Sequence, residues 1–209
     1  MKAILRYMLL LGAVFLVGLM LYASVAKMVI MMAVQEKPEA FNPNSIDYHY
    51  RNNQALSYAH ILIGVVFLLT GAFQLLPYFR KNYQRIHRRI GRLFLTTSLL
   101  VSASAIVMAV YAPFGNWIEV VTTLVFGSYL LICTWWAYHF ARQRKIALHR
   151  EWVYRVYFVA LAIATIRIVA GIGMTITGNS LKNMLGISFA IAFILHIVIV
   201  ESWIRWSRK

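Results

Sequence analysis

Residues 80–112 read RKNYQRIHRRIGRLFLTTSLLVSASAIVMAVYA. The first thirteen hold six Lys or Arg, and the twenty that follow hold none. An uncharged run of ~20 residues crosses a bilayer core as a helix. A basic cluster directly before it marks the end that stays on the cytoplasmic side. Five further apolar runs of comparable length lie in the chain, four of them interrupted by one or two charges. The six spans fall at about 7–33, 56–79, 93–112, 118–141, 153–176 and 183–204. Each can satisfy its backbone hydrogen bonds internally, as lipid demands. Strand alternation is absent, so a transmembrane barrel is excluded. The expected fold is all-α and integral to the membrane, an antiparallel bundle of six helices with a four-helix core from spans two to five. Residues 1–209 read as a single transmembrane domain.

The remaining charges agree with this topology. Residues 142–155 (RQRKIALHREWVYR) carry five Lys or Arg, the tail 205–209 carries three, and Lys2 and Arg6 flank the first span. With six spans all four groups share one side. The positive-inside rule makes that side cytoplasmic and places both termini there. The expected location is the bacterial inner membrane. Across 209 residues the net charge is +15, with 61% apolar and 13% charged residues. A soluble domain carries about 25% charged residues. Nucleic-acid binding is not expected, since the basic residues punctuate apolar runs instead of lining one soluble face.

The first span also fits the outline of a signal peptide with a small-residue site at Ser24-Val25-Ala26. The apolar run continues through Met28–Val34, so a retained helix is expected. Lys27 reads as a side chain that snorkels to the interface. The outer loop 34–55 is expected to be irregular with a short helix, and His49 to be a solvated loop histidine. Lone Cys133 reads as a small core hydrophobe.

Polar groups inside a membrane are functional hypotheses by default. His60 lies in the second span, with Gly64 one turn further on the same face. Arg167 lies within the fifth span and needs a partner or a cavity. Glu119 is the nearest acidic candidate in sequence. Otherwise Arg167 suits an anionic group, such as a propionate or a substrate carboxylate. Met108 and Met174 lie toward the outer ends of their spans and could complete a His/Met iron site with His60. His139 and His196 are secondary ligand candidates. Glu201 reads as a partner of Arg205 or as a counter-charge to the basic loops.

His87 and His149 precede the third and fifth spans at matching depth, and each is followed by Arg. Two histidines at one level on neighbouring helices can ligate a haem iron. Arg88, Arg92 and Arg155 would then neutralise the propionates. A hydrolytic zinc site is not expected, because there is no His-Glu-x-x-His run and no Cys cluster.

Several motifs in order carry a resemblance. They are His60-Ile61-Leu62-Ile63-Gly64, Gly71-Ala72-Phe73-Gln74-Leu75-Leu76-Pro77, His87-Arg88-Arg89-Ile90-Gly91-Arg92, Ala147-Leu148-His149-Arg150-Glu151-Trp152, Arg167 and Glu201. Over roughly residues 55–203 the chain resembles a bacterial family of predicted membrane proteins, domain of unknown function 2306. That family is distantly similar to two-haem transmembrane cytochromes of the b type. The resemblance implies haem b, with His87 and His149 as an inner iron pair and His60 in an outer one. The outer pair needs a second histidine on the fourth span, which instead carries Glu119, Thr122 and Thr123.

Three functions follow as expectations. The first is a haem-binding electron carrier serving a quinone or small reductant. The second is a transporter or binding protein for an anionic or amphipathic ligand, with a pocket near His60 and Arg167 lined by Gly64 and Gly71. The third is an accessory subunit that contacts membrane lipids or a partner through its basic face.

Overall fold

The computed structural model describes residues 2–42 and 45–208, without the side chains of residues 2–6 and Leu9. Three of the basic residues assigned above to the cytoplasmic side therefore lie outside what is described: the side chains of Lys2 and Arg6, and all of Lys209.

The helices are α1 (Lys2–Glu36), α2 (Ile46–Asn52), α3 (Gln54–Leu75), α4 (Pro77–Asn82), α5 (Gln84–Tyr111), α6 (Trp117–Arg142), α7 (Ile146–Ala160), α8 (Ala162–Thr177) and α9 (Leu181–Arg208). Among the described residues there is no strand. Six segments are long and apolar enough to cross a membrane: Leu10–Glu36, α3, α5, α6, Ile146–Thr177 and α9. This is the expected all-α membrane fold with six spans.

Local chemistry sets the boundaries. Pro77 opens α4 and restricts Leu76 to an extended conformation, which ends α3. Asn116 caps α6, its Oδ1 accepting from the amides of Ile118 and Glu119. Gly178 closes α8 at φ 67°, a left-handed position that suits glycine. The third span begins as a helix at Gln84, nine residues before the apolar run, because the basic stretch 84–92 is itself helical. The fifth span is broken at Leu161. There the His196 Nδ1–H of α9 donates to the Phe158 carbonyl at 2.6 Å, and Thr165 bonds its Nε2 at 2.9 Å. His196 thus pins the break.

Two packed clusters form the interior. The first joins α3, α5, α6 and α7 through Phe67, Leu68, Phe94, Cys133, Ala137, Val156 and Tyr157. Phe67 and Phe94 stack at 5.2 Å, and the Tyr157 hydroxyl donates to the Leu68 carbonyl at 3.0 Å. This is the expected core of spans two to five. The second cluster joins α6, α7, α8 and α9, with Phe126 stacked on Phe193 at 4.6 Å. The sixth span is therefore as much part of the interior as the others. The first span is peripheral, touching α2, α3 and α8.

Candidate functional site

The loop joining α1 to α3 folds back against the bundle end opposite the basic clusters. Ser45 caps α2 by accepting from the Tyr48 amide at 3.2 Å. Asp47 then pairs with Lys27 of α1. Lys27 also lies 4.7 Å above the Tyr50 ring. His49 Nε2–H donates to the Ala112 carbonyl at 2.8 Å, and its ring meets Phe114 edge-on at 5.7 Å. Lys27 is therefore an ion-pair partner instead of a free snorkelling chain. His49 is a strut between α2 and the α5–α6 turn instead of a solvated loop residue.

Tyr50 is the centre of this cluster. Burial pushes its phenol above the ordinary value, Arg167 pulls it back, and Glu119 and Asp47 push it up again. The short helix α2 thus brings Tyr50 into the field of charges on α1, α6 and α8. Its role was not anticipated from sequence; the pattern Tyr48-His49-Tyr50 inside a polar loop is the only signal there.

Arg167 has no acid. Its Nη1 donates to the Ile163 carbonyl of its own helix at 2.9 Å and lies 3.3 Å from Met20 Sδ on α1. Among the described residues it forms no salt bridge. Glu119, the expected partner, instead accepts from the Gly115 amide. Arg167 is exposed on the flank of the bundle. One turn further, Gly171 has no atom within 4 Å of where a side chain would begin. The space beside Gly171 is thus open, one turn from an unmatched guanidinium.

His60 is elsewhere. Its Nδ1 lies 2.8 Å from Ser104 Oγ, on the seam between α3 and α5. Among the described residues no hydrogen bond joins it to Arg167. Gly64 faces Val101 at an ordinary 3.8 Å. Gly71 lines no outward pocket: a side chain there would start 2.2 Å from the Tyr157 ring.

At the charged end, His87 and His149 are each the fourth residue of their helices. His149 Nδ1–H donates to the Ala137 carbonyl at 2.8 Å, which leaves Nε2 as an acceptor with no partner among the described residues. The buried Nδ1 of His87 has no partner among the described residues. His149 and Arg80 both act electrostatically on the His87 ring. Gln74 donates to the His87 carbonyl at 3.1 Å, tying α3 to α5. Arg155 is matched with Glu201 by two bonds of 2.6 and 2.9 Å and lies 4.5 Å over Trp152. Glu201 thus serves as a counter-charge to a basic segment and is not bound to Arg205. Arg88 and Arg92 are exposed. Among the described residues His139 makes one side-chain hydrogen bond, to Gln143 just past the end of α6, at 2.7 Å. Among the described residues no group of three or more His, Cys, Asp or Glu could hold a metal ion.

The family model described as "Predicted membrane protein (DUF2306)" matches residues 57–204. The chain belongs to this family. The DUF2306 match takes in α3 through most of α9 and leaves out α1 and α2. It therefore includes His60, His87, His149 and Arg167, whereas Lys27, Asp47 and Tyr50 precede it. No curated protein and no solved structure matches the chain.

Proposed function

We propose that this membrane protein binds, and as a transporter moves, an anionic amphipathic ligand whose acidic headgroup is held by Arg167. One observation carries the reading: Arg167 lies in a membrane-spanning segment without a carboxylate. A cation at such depth is costly unless a counter-charge or water reaches it. At 1.5 Å per residue it stands roughly 15 Å from the Thr177 end of α8. The open space beside Gly171 leaves room for an apolar tail to start, and Tyr50 and Lys27 add polar groups at the same end. The distribution of Lys and Arg supports an inner-membrane placement with both termini cytoplasmic.

The haem b reading draws support from the free His149 Nε2 and the unpartnered His87 Nδ1. Packing weighs against it. Two turns below the histidines, the Phe94 and Tyr157 rings lie 6.2 Å apart and fill the seam. The Tyr157 ring also occupies the space left by Gly71. The side chains present do not fit a porphyrin there without repacking both rings. Arg155, wanted for a propionate, is already neutralised by Glu201.

The test is retention of radiolabelled laurate by full-length protein in neutral detergent. Laurate should bind saturably, dodecanol and dodecyltrimethylammonium should not compete, and Arg167→Gln should abolish retention. Equal retention by wild type and Arg167→Gln would sink the proposal. A complete lack of retention by either would leave the accessory-subunit reading in its place.

A further inference from the structure

The charged end brings two histidines over one seam, on elements other than the one that carries Arg167. Helices α5 and α7 both begin there. Phe94 follows His87 by seven residues and Tyr157 follows His149 by eight, so each pair shares a helix face. The two rings meet across the seam at 6.2 Å. The histidines therefore stand over the same seam, roughly 10–12 Å nearer the charged end. One offers an Nε2 with no partner among the described residues, because its Nδ1–H is held by Ala137. The other offers a buried Nδ1 that bonds nothing among the described residues.

The surrounding charge decides what these nitrogens face. Arg80 acts on His87 from α4, and α5 carries Arg85 before His87 and Arg88, Arg89 and Arg92 after it, these four exposed at the same end. The chain has only six acidic residues. Two lie at this end, and both are engaged: Glu201 by Arg155 and Glu151 by Arg208. The other four, Glu36, Glu39, Asp47 and Glu119, belong to the far half. A metal cation would enter an uncompensated positive field. An oxyanion would be attracted. With its Nδ1–H held by Ala137, His149 can donate from Nε2 only as an imidazolium, the form that a neighbouring anion favours, and imidazolium and guanidinium groups make short charge-assisted bonds to phosphate oxygens. The N-termini of α5 and α7 add partial positive charge at the same level.

We propose that His87 and His149 bind a phosphate group at the charged end of the bundle, with the arginines of α5 holding its remaining charge. The phosphate belongs either to an anionic lipid headgroup or to a free phosphate anion, and the experiment separates these sources.

Full-length protein in neutral detergent is treated with diethylpyrocarbonate, and the modification rate of each histidine is read by mass spectrometry. Dioleoylphosphatidylglycerol should slow modification of His87 and His149 several-fold and leave His139 unchanged. The same protection by millimolar inorganic phosphate assigns the site to a free anion; protection by the lipid alone assigns it to a headgroup. The double variant His87→Ala/His149→Ala should bind the effective probe roughly tenfold more weakly, the loss expected for hydrogen bonds to a charged group. If the variant does not fold, protection of the wild-type histidines still decides. Absence of protection by both probes, or equal protection of His139, would overturn the proposal. Neither outcome bears on laurate binding at Arg167.

Discussion

Arg155 and Arg167 belong to one membrane-spanning segment, yet only Arg155 has an acid. Glu201 reaches across from α9 to make two bonds to its guanidinium, and Trp152 covers the ring face. The charge of Arg155 is thereby matched. Arg167 turns back to its own helix carbonyl and to the soft sulfur of Met20. The same residue type is thus structural on α7 and available on α8. The glycines divide the same way: Gly71 is filled by Tyr157, and Gly171 faces open space.

The sharpest way to break this comparison is to remove the acid that makes Arg155 structural. Glu201→Ala should destabilise the protein by about 3 kcal/mol, the lower end for a broken buried pair, because Glu201 is 30% exposed. A denaturation midpoint equal to wild type would show that Arg155 does not need its partner. Next comes Gly71→Ala, whose new carbon would meet the buried Tyr157 ring. The expected overpacking cost is about 2 kcal/mol, read as a lower unfolding temperature. Tyr157→Phe should cost about 1 kcal/mol by losing the bond to the Leu68 carbonyl. Gly171→Ala should leave stability unchanged or raise it by up to about 1 kcal/mol, since alanine favours helix and meets no atom. The same change should weaken laurate binding by narrowing the open space one turn from Arg167.

The smallest effect concerns pH. Tyr50 holds its proton more tightly folded than unfolded, because burial raises its pKa above the ordinary 10.0. Its contribution is therefore intact below about pH 10. It is lost as pH rises beyond that, where only the unfolded chain releases the proton. Alkaline unfolding should begin at higher pH in Tyr50→Phe than in wild type.

Span number and helical class were legible because run length in lipid is a strong constraint that needs no tertiary knowledge. Helix limits were less so. The stretch 84–92 is polar yet helical, and hydropathy marks where a helix meets lipid, not where it starts. The break at Leu161 carries neither Gly nor Pro and depends on His196, 35 residues later, for its bonding. The polar partnerships were the least legible. Lys27 and Asp47 are separated by twenty positions, and Arg155 and Glu201 by 46. Nothing local specifies which acid takes which base. Arg167 was singled out by its depth alone, while its lack of an acid emerged only when Glu119 turned to Gly115.

The most direct test is thermal unfolding of wild type and Arg167→Gln side by side, with and without laurate. The account predicts that Arg167→Gln is at least as stable as wild type without ligand, because it removes an unmatched charge. It also predicts that laurate raises the unfolding temperature of wild type only. A variant that unfolds well below wild type, with both proteins responding equally to laurate, would contradict it and make Arg167 a structural residue like Arg155.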